Sequence, residues 1–151
     1  MPISGQANDI ELASWWSEYL ASPILNELPP RRKSEYLLTA PFAGFRLLAK
    51  YDLLAVDPGK RAVIVDWKTS NKPLPRKYLL DRLQTRVYQY LLVSAGQTIN
   101  GGKALKPEQV ELIYWFTSQP DQPVHLHYTD KLFRADEEYL LALVNDISTQ
   151  G

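Results

Sequence analysis

Cysteine is absent from this chain of 151 residues, and its absence excludes several kinds of chemistry at once. Without a thiol there is no disulfide, no zinc–thiolate site and no cysteine nucleophile. A cysteine-ligated iron–sulfur cluster is excluded for the same reason. Any catalytic site in this protein therefore has to use oxygen and nitrogen ligands.

Long apolar runs are also missing, because no stretch approaches the roughly 20 residues that a membrane-spanning helix needs. The N-terminus lacks the basic and apolar regions of a secretory signal. We therefore expect a cytoplasmic protein without a membrane partner. Hydrophobic residues make up 45% of the chain and charged residues 23%, which is an ordinary globular balance, and the length predicts one domain over residues 1–151.

An excess of charge of either sign is lacking, since the formal net charge is zero. This argues against a protein that coats nucleic acid by charge alone. The distribution is nevertheless uneven, because residues 1–30 contain no Lys or Arg, whereas residues 72–86 are locally basic. The cations of this segment could follow a phosphate backbone, although a solvated helix face explains any single one equally well. They are Lys72, Arg76, Lys77, Arg82 and Arg86, against the single acid Asp81.

Hydrophobic periodicity predicts a mixed α/β fold with a central sheet flanked by helices. Helices are predicted over about 10–20, over 79–91 with a C-terminal stop at Gly96, and over about 131–147. Strands are predicted over 35–40, 45–56, 62–65, 110–117 and 124–128, with the first two forming a hairpin. Chemistry should lie where these strands end.

Two carboxylates stand fourteen positions apart, Asp52 in the second predicted strand and Asp66 at the end of the third. The turn at 57–60 makes these strands antiparallel neighbours, so the two side chains can converge. Lys68 follows Asp66 by two positions and therefore projects from the same face of its strand. Two buried carboxylates repel each other unless a cation offsets the charge, and hard oxygen ligands suit Mg²⁺ or Mn²⁺.

Phosphodiester hydrolysis needs an activated water and charge stabilisation on phosphorus, which metal sites commonly supply together. Lys68 could orient the water or neutralise charge on the phosphate. Gln84 and Tyr88 lie four residues apart on the following helix, so both face the same way and could look onto the acids. This set of residues could therefore serve hydrolysis of a phosphodiester.

Three segments in this order resemble the motifs of the PD-(D/E)XK nuclease superfamily, in its RecB-like branch that includes CRISPR-associated accessory exonucleases. Residues 49–54 are similar to the family's Gly-x-x-Asp strand, with alanine at the glycine position, and 63–69 to its Asp-x-Lys-Thr strand. Gln84 and Tyr88 are similar to its Gln-x-x-x-Tyr helix. The resemblance spans about residues 35–92 and implies a restriction-endonuclease-like core.

The resemblance also implies roles for particular residues. Asp52 and Asp66 would bind Mg²⁺ or Mn²⁺, with Glu35 similar to an acid that the family often places on the first strand. Lys68 would be the catalytic lysine, and Gln84 would support the site. Tyr88 would contact the nucleic acid, to which we add Lys72, Arg82 and Arg86 from the basic segment. DNA is the expected substrate, and a helicase or other DNA-processing partner is compatible with the family.

Two other interpretations stay open on the sequence alone. The chain has no histidine before its first strand, where many family members carry a metal ligand, so it could be an inactive member that binds nucleic acid or acts as a scaffold. An unrelated α/β domain could also carry the motif by accident. The two histidines, His125 and His127, and the aromatic cluster at 114–116 are interpreted as a solvated strand face and as core packing.

Overall fold

The computed structural model describes residues 26–69 and 74–150, and this part of the chain contains a five-stranded sheet with helices packed on it. The strands are β1 (Arg31–Phe42), β2 (Phe45–Asp57), β3 (Arg61–Lys68), β4 (Val110–Phe116) and β5 (Val124–His127). The helices are α1 (Arg76–Asp81), α2 (Leu83–Ala95) and α3 (Asp130–Gln150), with short 3-10 turns at Gly96–Ile99 and Pro107–Gln109. The helix predicted near residues 10–20, and Lys72, lie outside the described residues.

The sheet has the strand order β1-β2-β3-β4-β5, and all neighbours are antiparallel except β3 and β4. Parallel neighbours need a crossover connection, and here α1 and α2 supply it. The predicted mixed α/β sheet with flanking helices is confirmed. Within the described residues, no helix combines the length and the apolar character that crossing a membrane requires.

Two boundaries differ from the sequence prediction. Strand β1 begins at Arg31 rather than at residue 35, because Arg31–Ser34 pair in register with Leu53–Val56 although their side chains are polar. The helix predicted over 79–91 is two helices, because Arg82 has an extended backbone with φ −64 and ψ 142. The backbone at the break finds hydrogen-bond partners nearby, since the carbonyl of Leu79 accepts hydrogen bonds from the Arg82 amide and the Thr85 hydroxyl.

The sheet buries apolar side chains on both faces. The larger cluster lies on the face covered by α2 and α3, and includes Ile64, Leu91, Leu92, Leu112 and Leu126. The smaller cluster, on the opposite face, joins Leu28 to Ala55, Val63, Val65, Ile113 and Trp115. A strand that is buried on both faces reads as a continuous apolar run, which is why residues 62–65 were recognisable from the sequence.

The alternation of side chains changes phase within the β1–β2 pair. Tyr51 and Leu54 both pack in the larger cluster although three residues apart, whereas Leu53 contacts the smaller cluster. A regular strand would send residues three apart to opposite faces. Opposite this point in β1, Glu35 has a positive φ of 51. Beyond it, β2 is no longer paired with β3, so residues 37–50 form a hairpin that extends past the shared sheet.

Asp136 joins the C-terminal helix to the rest of the fold. Its carboxylate is buried, accepts a hydrogen bond from the Tyr128 hydroxyl at 2.5 Å, and lies 3.1 Å from the guanidinium of Arg86 on α2. Burial raises the pKa of Asp136, and the contacts with Tyr128 and Arg86 oppose that rise without cancelling it. The cost of keeping this carboxylate charged is thus a pH-dependent part of the stability.

We expect Asp136→Asn to change how stability depends on pH. Because the folded-state pKa of Asp136 lies above its unfolded value, wild-type protein loses this contribution as pH rises through the unfolded and then the folded pKa. The difference in free energy of unfolding, wild type minus variant, should therefore fall in urea titrations as pH rises above about 3.8, the ordinary pKa of this carboxyl. Asp146→Asn, an exposed change on the same helix, should leave the difference flat. A difference that rose with pH would contradict the assignment.

Candidate active site

Asp52 and Asp66 meet where β2 and β3 part. The strands pair Leu53 with Val65 and Leu54 with Ile64, and one further step of this register places Asp52 opposite Asp66. Side chains directly opposite in an antiparallel pair are close neighbours. Consistent with this, Asp52 is one of the groups that raise the pKa of Asp66. Asp52 is held in turn by the Trp67 amide, which donates to Oδ2 at 3.0 Å.

Asp66 is the buried member of the pair, with a relative exposure of 4%. Burial raises its pKa, Lys68 opposes the rise, and the neighbouring charge of Asp52 adds to it. The ammonium of Lys68 lies 2.8 Å from Asp66 Oδ2. Lys68 is therefore the counter-ion that opposes the effect of burial on Asp66.

Lys68 lies between an acid and an amide. Its ammonium donates to Gln84 Oε1 at 2.9 Å as well as contacting Asp66, and it lies 5.4 Å from the centre of the Tyr114 ring. Gln84 stands at the start of α2, so the second helix of the crossover reaches back to the end of β3. The structure thus brings together four of the residues singled out from the sequence: Asp52, Asp66, Lys68 and Gln84.

Tyr88 connects α2 to the β1–β2 hairpin beside this site. Its hydroxyl donates to the carbonyl of Lys50 at 2.8 Å, and the hydroxyl of Tyr51 donates to the Tyr88 carbonyl at 2.8 Å. The two rings meet edge to face, with centroids 5.0 Å apart. Burial raises the pKa of Tyr88, and the charges of Asp66 and Asp52 add to the effect. Tyr88 is therefore close to the carboxylates and also braces the strand that carries Asp52.

Sequence reasoning missed Tyr114 as a neighbour of the site. We had interpreted it as core packing, and it is fully buried, but the parallel register of β3 and β4 pairs it with Asp66. Its hydroxyl lies 2.6 Å from the hydroxyl of Thr85, and burial raises its pKa to about 12. No local signal could have found it, because the pairing joins strands that are separated by both helices of the crossover.

Two of the other predicted residues are not part of this cluster, and a third is not described. Glu35 falls opposite Asp52 in the β1–β2 register, but it is exposed and its positive φ interrupts the strand. Arg86 faces α3, where it contacts Asp136 at 3.1 Å and stacks over Tyr139, and it also lies 3.6 Å from Asp81 at the end of α1. Lys72 is outside the described residues. The metal role of Glu35 and the nucleic-acid contact of Lys72 stay predictions, whereas Arg86 is part of a helix–helix contact.

His125 and His127 share one strand face, as expected, and both contact the buried carboxylate of Glu111. The distances to Glu111 Oε2 are 2.8 Å for His125 Nδ1 and 3.3 Å for His127 Nε2. Arg61 approaches the other oxygen of Glu111 at 3.4 Å. Glu111 lies on the sheet face of the smaller cluster, since it alternates with Leu112, which packs in the larger one. These histidines are thus separate from the Asp52–Asp66 pair.

The acidic and histidine side chains near the site can be compared with the ligands that a metal ion requires. Over residues 26–69 and 74–150, no group of three or more His, Asp or Glu side chains has an arrangement suited to a metal. Mg²⁺, however, usually keeps several waters and binds through one or two carboxylates together with substrate phosphates. Asp66 Oδ2 is buried, and the ammonium of Lys68 lies 2.8 Å from it without regular hydrogen-bond geometry. The pair Asp52 and Asp66 therefore fits an ion of this kind, completed by water and substrate.

We expect Lys68→Met to destabilise the protein without unfolding it. The substitution leaves Asp66 buried without its counter-ion, and breaking a partly buried pair of this type costs about 1–3 kcal/mol of unfolding free energy. Denaturant titration at pH 7 in EDTA measures the change. Lys60→Met, in the exposed turn between β2 and β3, is the matched control and should change stability by less than about 0.5 kcal/mol. Equal effects in the two variants would show that the Asp66–Lys68 contact contributes nothing.

Comparison with known proteins gives results that agree with this geometry. The family model of the PD-(D/E)XK nuclease superfamily matches residues 7–150. The crystal structure of a candidate exonuclease from Eubacterium rectale is similar over 94% of this chain and 53% of its own, with a TM-score of 0.58 and 14% identity. The crystal structure of SSO0001 matches 74% of this chain and 50% of its own, with a TM-score of 0.37 and 18% identity.

Comparison with curated proteins finds no match. The chain spans about half the length of the two solved structures it resembles. At 14% identity, the first of these likenesses establishes the fold, and the family match, which covers most of the chain, establishes descent. The chain belongs to the PD-(D/E)XK nuclease superfamily.

Proposed function

We propose that this protein is a magnesium- or manganese-dependent deoxyribonuclease, in which Asp52 and Asp66 bind the metal and Lys68 acts beside them. The observation that carries the proposal is the convergence of these three side chains at the end of β3, in a chain that belongs to a nuclease superfamily. Nucleases of this superfamily are generally dependent on a divalent metal. The choice of DNA, and of these residues, is our inference.

When bound, a divalent ion would lower the pKa of a coordinated water and stabilise charge on the phosphate. The protein's own contribution begins with Asp52, whose orientation is fixed by the Trp67 amide. Asp66 supplies the second carboxylate from a buried position, where electrostatic interactions are stronger than in water. Together the two acids would hold the metal ion at the end of β3, beside the reacting phosphate and its water.

Lys68 is suited to stabilise negative charge that develops on the phosphate or to orient the attacking water. Its ammonium is held by Asp66 and by Gln84 Oε1, so it is positioned before substrate arrives. Gln84 is thus a positioning residue for Lys68. Tyr88 keeps strand β2 against α2 through Lys50 and is near enough to the carboxylates to contact a bound strand.

A second function, nucleic-acid binding without cleavage, is favoured by one observation. Only two carboxylates meet in the described part of the site, and no third acid or histidine completes them there. If substrate phosphate and water cannot supply the remaining ligands, the fold would retain binding without chemistry. Partner proteins, including a helicase, would then decide its role.

The test is cleavage of end-labelled single-stranded and double-stranded DNA with Mg²⁺, Mn²⁺ or EDTA. We expect metal-dependent cleavage by wild type, and a fall of at least about 10²-fold in rate for Asp66→Asn and for Lys68→Met, since each removes a group that stabilises the transition state. Glu138→Gln, at an exposed position on α3, should cleave at the wild-type rate.

Two results would contradict the proposal. If wild type binds no Mn²⁺ at millimolar concentration and cleaves nothing, the protein is not a metal-dependent nuclease. Salt-sensitive DNA binding in such a protein would favour the second function. If cleavage occurs but survives in Asp66→Asn, the site lies elsewhere.

A further inference from the structure

The break between α1 and α2 gives Arg82 an unusual position. In an uninterrupted helix, residues four apart share a face, so Arg82 would point the same way as Arg86. Arg86 faces α3, where it contacts Asp136 and stacks on Tyr139. Arg82 instead lies over Tyr114 of the sheet, with its guanidinium carbon 6.0 Å from the ring centre. The extended backbone at Arg82 therefore directs two nearby arginines to different places.

Thr85 holds this break in place. Its hydroxyl donates to the carbonyl of Leu79, which also accepts from the Arg82 amide where α1 ends, and lies 2.6 Å from the hydroxyl of Tyr114. Thr85 and Tyr114 are both buried, so the contact excludes water. The Thr85 side chain thus holds both the C-terminus of α1 and the Tyr114 ring, over which Arg82 lies.

The ring of Tyr114 also connects Arg82 to the carboxylates. Lys68 lies 5.4 Å from the centre of this ring, and Asp66 is the residue that pairs with Tyr114 across β3 and β4. The charges of both Asp66 and Arg82 act on the Tyr114 hydroxyl, in opposite directions. Arg82 is therefore on the same side of the sheet as the proposed metal ligands and one ring away from them.

The ion pairs of the site leave Arg82 available. The charge of Lys68 is already opposed by Asp66 at 2.8 Å, whereas Arg82 makes no ion pair with any described acid. Arg82 is half-buried, so its charge is only partly screened by water. Phosphoryl transfer builds negative charge on the phosphate oxygens, and a planar guanidinium can donate two hydrogen bonds to such oxygens at once.

We propose that Arg82 is a catalytic residue of this site, and that its guanidinium contacts the phosphate under attack. The proposal rests on the proposed nuclease function and adds to it a second cation, with a different task from Lys68. Thr85 is a positioning residue in this scheme, because it holds the break that aims Arg82. The position of Arg82 between the two helices then serves the active site.

Steady-state cleavage tests the catalytic role. We expect Arg82→Gln to lower kcat by about 10²-fold with a small change in KM, because the contact strengthens as charge develops on the phosphate. Arg82→Lys should recover part of the loss. Lys131→Gln removes an equal charge from an exposed position on α3, outside the basic segment, and should cleave as wild type does. Equal rates for Arg82→Gln and wild type would overturn the proposal.

Two substitutions of Thr85 test its positioning role. Thr85→Val keeps the shape of the side chain and removes the hydroxyl, so kcat should fall by about 10-fold through misplacement of Arg82. Thr85→Ser restores the hydroxyl and should restore kcat. A loss that Thr85→Ser does not rescue would show that packing, rather than the bridge to Leu79 and Tyr114, is what matters.

A measurement without turnover separates this proposal from the nuclease proposal. Arginine Nε–Hε signals are followed by NMR in Asp66→Asn protein while thymidine 5′-monophosphate is added, and the Arg82 signal is identified by its loss in Arg82→Lys. We expect the Arg82 signal to shift more than those of Arg76 and Arg134. An unshifted Arg82 signal would reject the contact even in an active nuclease, whereas absence of cleavage by wild type would reject the nuclease alone.

Discussion

The burial of Asp66 is the constraint on which the site depends. A carboxylate at the end of a central strand has lost most of its water, and it is stable there only because Lys68, two residues later on the same face, supplies the opposite charge. Asp52 makes it harder to keep a charge on Asp66, since it places a second negative charge across the strand pair and raises the pKa of Asp66. The arrangement favours the binding of a cation, which would relieve the repulsion that folding creates.

The pairing of the strands determines where the two carboxylates lie. Antiparallel pairing of β2 and β3 brings Asp52 opposite Asp66, and the change of phase at Glu35 and Asp52 then lets the hairpin leave the sheet at that point. The hairpin stays attached to α2 through the hydroxyls of Tyr51 and Tyr88. The carboxylates consequently lie where the pairing of β2 with β3 ends, and Tyr51 and Tyr88 hold β2 against α2 there.

The crossover between β3 and β4 performs two tasks. It makes the parallel pairing of Asp66 with Tyr114 geometrically feasible, and its second helix returns Gln84 to Lys68. The interruption at Arg82 belongs to the same arrangement, because the Thr85 hydroxyl satisfies the end of α1 and touches Tyr114. The packing of the crossover on the sheet therefore also brings the residues of the site together.

The sequence by itself determined the local features of this protein. Neighbours in the chain set four of these features: the apolar run at 62–65, the turn at 57–60, the helical spacing after residue 79 and the period-two relation of Asp66 to Lys68. The α/β class and the core of the site could therefore be predicted.

The tertiary structure decided the rest. Tyr114 beside Asp66 and Arg86 on Asp136 depend on contacts between segments distant in sequence, and the break at Arg82 is fixed partly by Tyr114, so local propensity carries no information about them. Glu35 shows the same limit, because its exposure and positive φ follow from how the paired strands bend, and not from its own place in a motif.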